Sequence, residues 1–167
     1  MSIPADLLLL QRHVFDPCGF KYTVPQKEAE SYDYDAYSFN LNDLAVRYRK
    51  AKITPTKTGQ FVTFWKREGE GPIQPYDSMD EIDFLMVCVR KDDHFGVFVF
   101  SKAILIKHGI VATASKEGKR ALRIYPPWDI PTSQQAVKTQ KWQQECFLEV
   151  GSGHIDSDSV NRLFTVG

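Results

Sequence analysis

The spacing of apolar positions changes character along this chain, and each change marks a predicted element. Near the start, Leu7, Leu10 and Val14 recur at the three- to four-residue spacing of one helix face. This spacing predicts an amphipathic helix with Ser2 as its cap and Pro4 in its first turn, ended by Asp16-Pro17 and Gly19. Residues 20–35 carry no clear period and are expected to form a loop or short helix. From Tyr37 the period becomes two. Tyr37–Leu41, a tight turn at Asn42-Asp43, the long segment Leu44–Thr54, a break at Pro55–Gly59 and then Gln60–Arg67 predict a three-strand meander. After a loop at Gly69–Pro75, Asp83–Arg90 is apolar at successive positions, as a strand covered on both faces would be. A turn at Lys91–His94 leads into a fifth strand, Gly96–Phe100.

Ser101 is placed to cap a short helix through His108, closed by Gly109. Past a polar loop at Thr113–Gly118, Lys119–Tyr125 predicts another strand, stopped by Pro126-Pro127. A second long helix is expected from Thr132 or Ser133 to about Leu148. This order implies an α/β (α+β) domain over residues 1–150, with a mixed central sheet flanked by helices. Residues 151–167 read as a loose C-terminal tail with one amphipathic turn at Val160–Phe164.

Composition narrows the class without assigning a function. The chain has 167 residues, 43% of them hydrophobic and 25% charged, within the range of one globular core. Cys18, Cys88 and Cys146 are far apart, which argues against a disulfide framework or a zinc site and suits a cytoplasmic protein. The run Leu7–Leu10 is far short of the ~20 apolar residues a membrane span needs, and it lacks the basic leader of a signal peptide. No cofactor is expected: the glycines make no phosphate loop, and no G-x-S-x-G elbow is present. His13, His94, His108 and His154 are too scattered to suggest metal ligands.

The formal net charge is zero, so any attraction for a polyanion must come from local segregation of charge. Segregation is pronounced. Between Glu28 and Asp43 every charged residue is acidic, whereas between Leu44 and Arg67 every one is basic: Arg47, Arg49, Lys50, Lys52, Lys57, Lys66 and Arg67. A second basic tract contains Lys116, Lys119, Arg120 and Arg123. On the long second strand, Val46 and Tyr48 share a face with Lys50 and Lys52, and Arg47 and Arg49 share the other with Ala51 and Ile53. Both faces change character near residues 49–50, so either a bulge turns the cations outward or Lys50 and Lys52 enter a cleft. Cations beside short polar groups and aromatic rings are what a phosphate backbone and its bases require. The competing expectation is a solvated sheet face whose Lys and Arg guard an edge and pair with the acidic blocks. Trp65 and Trp128 are candidates for stacking on bases or for core packing.

The hairpin Arg49-Lys50-Ala51-Lys52-Ile53-Thr54-Pro55-Thr56-Lys57, followed by Gly59-Gln60-Phe61-Val62-Thr63-Phe64-Trp65-Lys66-Arg67, resembles the signature of the MepB-like proteins. So do Asp83-Phe84, Gly118-Lys119-Arg120, Arg123-Ile124-Tyr125-Pro126, Trp128-Asp129 and Lys138 to Trp142. The resemblance spans roughly residues 5–150. The strand order is also similar to the restriction-endonuclease-like PD-(D/E)xK architecture, whose active members hold Mg²⁺ with carboxylates on the second and third meander strands. No carboxylate lies between Asp43 and Glu68, and if Lys66 matches that family's lysine, Phe64 stands where a metal ligand belongs.

The expectation is therefore a non-catalytic, nucleic-acid-binding protein on a degenerate nuclease-like fold. Its candidate contacts are Arg47, Arg49, Lys50, Lys52, Lys57, Gln60, Lys66, Arg67, Lys119, Arg120 and Arg123. It requires Lys50, Lys52, Gln60 and Lys66 to gather in one hollow that no acid enters. Two alternatives are a metal-dependent nuclease, with Glu28, Glu30, Asp33, Asp35 or Asp83 folded back onto the hairpin, and a small-anion or protein-partner module.

Overall fold

A computed structural model describes residues 2–151, 153 and 155–166. Helix α1 (Ala5–Leu10) continues into a π-helical turn at Gln11–Phe15 and buries Leu7, Leu10, Val14 and Phe15. Its first turn begins at Pro4 with no side-chain cap, so Ser2 does not have the role its position suggests. Residues 20–35 hold a short strand, β1 (Gln26–Lys27), and a 3₁₀ turn at Tyr32–Tyr34. Strands β2 (Tyr37–Leu41) and β3 (Leu44–Lys50) form the expected hairpin, with Asn42 and Asp43 both at positive φ in the turn.

The predicted long second strand bends at Ala51. Up to Lys50 it lies antiparallel to β2 and parallel to β8 (Phe84–Lys91), and the Ala51 N–H still donates to the Cys88 carbonyl at 3.0 Å. From the next residue on it is β4 (Lys52–Ile53), which pairs with β5 (Gln60–Thr63) in another sheet. The meander thus exists as consecutive antiparallel pairings divided between two sheets. The change of facial character read near residues 49–50 marks this corner. Gln60–Arg67 is likewise not one strand: Lys66–Arg67 (β6) leaves to pair with Ile73–Gln74 (β7), inside the stretch expected to be loop.

The large sheet is mixed, six-stranded and ordered β1-β2-β3-β8-β9-β11, with β9 at His94–Ser101 and β11 at Phe147–Glu149. The uninterrupted apolar run places β8 at its centre: Phe84, Met86 and Cys88 face one layer, and Leu85, Val87 and Val89 face the other. The first layer is made by α1, its π turn and α4 (Ser157–Leu163), whose Val160 and Leu163, with Phe164 just beyond, are buried against Phe84 and Phe15. The amphipathic turn at Val160–Phe164 is therefore core, not loose chain. The second layer combines α2 (Lys102–Lys107), α3 (Gln134–Gln144) and a three-stranded sheet ordered β10-β5-β4, where β10 is Ala121–Ile124. Ser101 and Ser133 cap α2 and α3 as their positions imply, each accepting from the N–H three residues on.

Helix α3 stops at Gln144, not near Leu148, because Phe147 and Leu148 are drawn into β11 beside β9. Gln143, almost wholly buried, closes the outer edge of β10: its Oε1 accepts from the Tyr125 N–H and its Nε2 donates to the Arg123 carbonyl. Among the described residues, no helix is long and apolar enough to cross a membrane.

Candidate nucleic-acid interface

The two β3 arginines and Lys50 point to opposite sides of that strand, so they cannot line a common hollow. Arg47 and Arg49 turn toward the small sheet. Arg49 is completely buried, lies over the Phe64 ring and is ion-paired with Glu28. The same carboxylate takes Arg47 at 3.0 Å and the Tyr76 hydroxyl at 3.4 Å. Lys50 turns toward α1 and meets Asp6 at 2.9 Å, which Arg90 also contacts at 2.8 Å. Burial works to raise the Asp6 carboxyl pKa, but hydrogen bonds from Lys50 and Arg90 outweigh it and hold the value below the ordinary range.

The remaining hairpin groups are similarly occupied. Lys66 bonds Asp77 and Asp80 at 2.9 and 2.8 Å; desolvation opposes its charge, yet the two carboxylates keep its pKa above the ordinary lysine value. Arg67 pairs with Glu30. Gln60 is buried and donates to the Arg90 carbonyl, so the glutamine marks the core face of β5 and not its ligand face. The expected convergence of Lys50, Lys52, Gln60 and Lys66 is absent, and acids enter the hairpin at four places: Asp6, Glu28, Glu30 and the pair Asp77 and Asp80. Glu28 and Glu30 do fold back onto it, as the nuclease alternative required, but guanidinium groups hold both. Asp83 accepts from the Ala45 N–H on the large sheet.

Five of the candidate cations form no salt bridge among the described residues: Lys52, Lys57, Lys119, Arg120 and Arg123. Strand alternation brings two of them together. On the small sheet Gln60, Val62, Leu122 and Ile124 face the core, so Phe61, Thr63, Ala121 and Arg123 face outward. The register sets Phe61 directly between Lys52 on β4 and Arg123 on β10. Arg123 lies over the Phe61 ring at 5.8 Å, Lys52 over the Tyr34 ring at 5.0 Å, and the two rings meet edge to face at 6.3 Å. The result is a row of cation, ring and cation, with a second ring alongside. Asp33 is near enough to Tyr34 to add to the burial that raises the phenol pKa.

Lys57 is exposed on the turn between β4 and β5, and Arg123 ties into that turn through Thr54 Oγ1 at 2.9 Å and the Thr58 carbonyl. Arg120 is exposed just before β10 and reaches the Ile73 carbonyl, while Lys119 joins Arg123 in lining a cavity of about 360 Å³ between β10 and α3. Phe61 and Tyr34 are the residues the sequence did not single out. The alternation of β5 contained the signal for Phe61, but only tertiary packing shows which face of β5 is covered. Trp65 lies beneath Arg67, and Trp128 and Trp142 stack on His94 and His108. His154 is outside the described residues. No group of three or more His, Cys, Asp and Glu among the described residues is arranged to hold a metal ion.

Comparison with known proteins adds a family. The MepB-like family model matches residues 28–149. The chain is similar to the crystal structure of MepB with a TM-score of 0.76 and 33% identity, over 88% of this chain and 97% of that one. No curated protein matches it.

Proposed function

We propose that this chain, which belongs to the MepB-like family, is a non-catalytic nucleic-acid-binding protein that uses the outward face of its small sheet. The observation that carries this reading is the row Lys52–Phe61–Arg123, flanked by Tyr34 and Lys57. Ammonium and guanidinium groups neutralise phosphates, and a ring between them offers a sequence-tolerant surface for a base, worth about 1–3 kcal/mol per stacked base. A bared base needs a strand that is not paired, so the reading favours single-stranded over duplex substrate.

The proposal includes the restriction-endonuclease-like interpretation of the strand order. Its support is the bent meander β2, β3/β4, β5 and the apolar Phe64 two residues before Lys66. One observation favours the nuclease alternative: Asp77 and Asp80 meet Lys66 in a D-D-K constellation. Both carboxylates are also turn acceptors, however, from the N–H groups of Met79 and Asp77 respectively. Incubation of plasmid and oligonucleotide with Mn²⁺ separates the two readings; nicking that Lys66→Ala abolishes would select the enzyme.

Fluorescence anisotropy with a labelled single strand tests the binding reading. Lys52→Ala, Phe61→Ala and Arg123→Ala are each expected to weaken binding several-fold. For three to five phosphate contacts the log–log salt slope is about −2 to −3.5. No binding at low salt removes the proposal.

A further inference from the structure

The outer edge of β10, past the Arg123 end of the row, faces α3 across the cavity of about 360 Å³. We infer that this cavity binds a phosphate monoester in its doubly charged form. The inference goes beyond the binding face proposed above and stands without it.

The sheet edge supplies main-chain donors. Gln143 meets the Arg123 carbonyl and the Tyr125 N–H on this side, while the Arg120 carbonyl turns the other way to accept from the Phe64 N–H just past β5. Peptide groups alternate in direction along an antiparallel strand, so the N–H groups of Ala121 and Arg123 also point out from the sheet. Both residues line the cavity. The facing wall is the start of α3, where Ser133 accepts from the Ala136 N–H and keeps its own hydroxyl hydrogen free to donate. The N–H groups of Gln134 and Gln135 have no partner within the helix, and Gln135 also lines the cavity.

Charge acts in the same direction. Lys119 lines this cavity, is exposed, and forms no salt bridge among the described residues. The guanidinium of Arg123 is tied to Thr54 and Thr58, so Arg123 contributes its N–H here and its charge to the row. The start of an 11-residue helix adds the positive end of its dipole. Among the described residues no aspartate or glutamate lines the cavity, and His108, stacked on Trp142, walls it beside α2. Coulombic attraction scales with the charge of the ligand: a monoester carries close to two charges above its second pKa of about 6, a diester only one. Donors from two elements around one ammonium therefore favour a monoester over a diester, and a neutral ligand gains nothing from the field.

The test is proton–nitrogen correlation NMR at about pH 7.5 and fixed ionic strength, with methyl phosphate and dimethyl phosphate as probes. Methyl phosphate is expected to shift the amides of Ala121, Arg123 and Gln135 saturably, binding about fivefold to tenfold more tightly than dimethyl phosphate. Lys119→Ala, at an exposed position, should weaken it about fivefold. Ser133→Asp retains a helix cap while placing a carboxylate in the cavity, so it should abolish the shifts with the fold intact. No saturable shift up to about 50 mM methyl phosphate, or an equal response to the two esters, overturns the site. Labelled oligothymidylate with and without a 5′-phosphate then separates two sources of the group. A gain from the 5′-phosphate that Ser133→Asp removes puts the end of a strand in the cavity, and equal affinity puts a free phosphorylated small molecule there. If neither strand binds, the reading of the row falls and the methyl phosphate result decides the cavity alone.

Discussion

Glu28 is ion-paired with Arg49, a guanidinium from which the fold has excluded all solvent. A full positive charge in that position is tolerable only while its carboxylate stays, because removing one partner of a buried pair costs about 3–5 kcal/mol. Glu28→Gln is therefore expected to lower the melting temperature by on the order of 10 °C, read by circular dichroism. The double variant Glu28→Leu/Arg49→Met should recover much of that loss, because no buried charge is then left without its partner.

Lys66 gives the opposite expectation for binding. Its ammonium is consumed by Asp77 and Asp80, so Lys66→Ala should alter single-strand affinity by less than about twofold while costing about 1 kcal/mol of stability. A large loss of affinity in this variant, with the fold intact, would return the lysine to the ligand face.

How far the sequence could be read depended on which effects were local. The hairpin at Asn42-Asp43, the Ser101 and Ser133 caps and the all-apolar β8 each follow from residues close in the chain. The failures are non-local. Nothing near residue 49 announces that Glu28, 21 positions earlier, will neutralise Arg49. The acidic and basic blocks were visible as blocks, and the structure pairs them across the sheet as the edge-guarding expectation allowed. Gln60 looked like a ligand-face residue because it is polar; its buried amide in fact serves the Arg90 carbonyl. Phe147 and Leu148 looked like the end of a helix because their destination, the edge of β9, is set by tertiary contacts.

Two groups give the fold a pH dependence of known sign. Burial first, and then the neighbouring Lys107, lower the His108 pKa below 6.5. The unfolded chain thus binds this proton more readily, so stability is complete above pH 6.5 and falls as the solution is acidified. The melting temperature should drop as the pH falls below about 6.5, and His108→Phe, which preserves a ring against Trp142, should remove that component. Asp6 acts lower on the scale: its depressed pKa stabilises the fold above about pH 4 and ceases to do so as pH falls through the lowered value. Asp6→Asn should flatten the acid limb and cost about 1–2 kcal/mol at neutral pH, since Lys50 and Arg90 are each 39% exposed and can turn to water.

Gly59 links the turn to the proposed ligand face. Its φ of +87° is strained for any L side chain, and an added Cβ would lie 2.9 Å from the Tyr125 ring and 2.8 Å from the Ile124 carbonyl. Gly59→Ala is expected to displace the turn that anchors Arg123 and to weaken single-strand binding more than Lys57→Ala does, with anisotropy as the measurement.

The corner at Ala51 makes one backbone a member of both sheets. The strands of the small sheet therefore cannot hinge away as a flap without stretching the Ala51–Cys88 hydrogen bond at the centre of the larger sheet. Whatever settles on the outer face of the small sheet should register as slowed amide exchange along β3 and β8, remote from the proposed binding row.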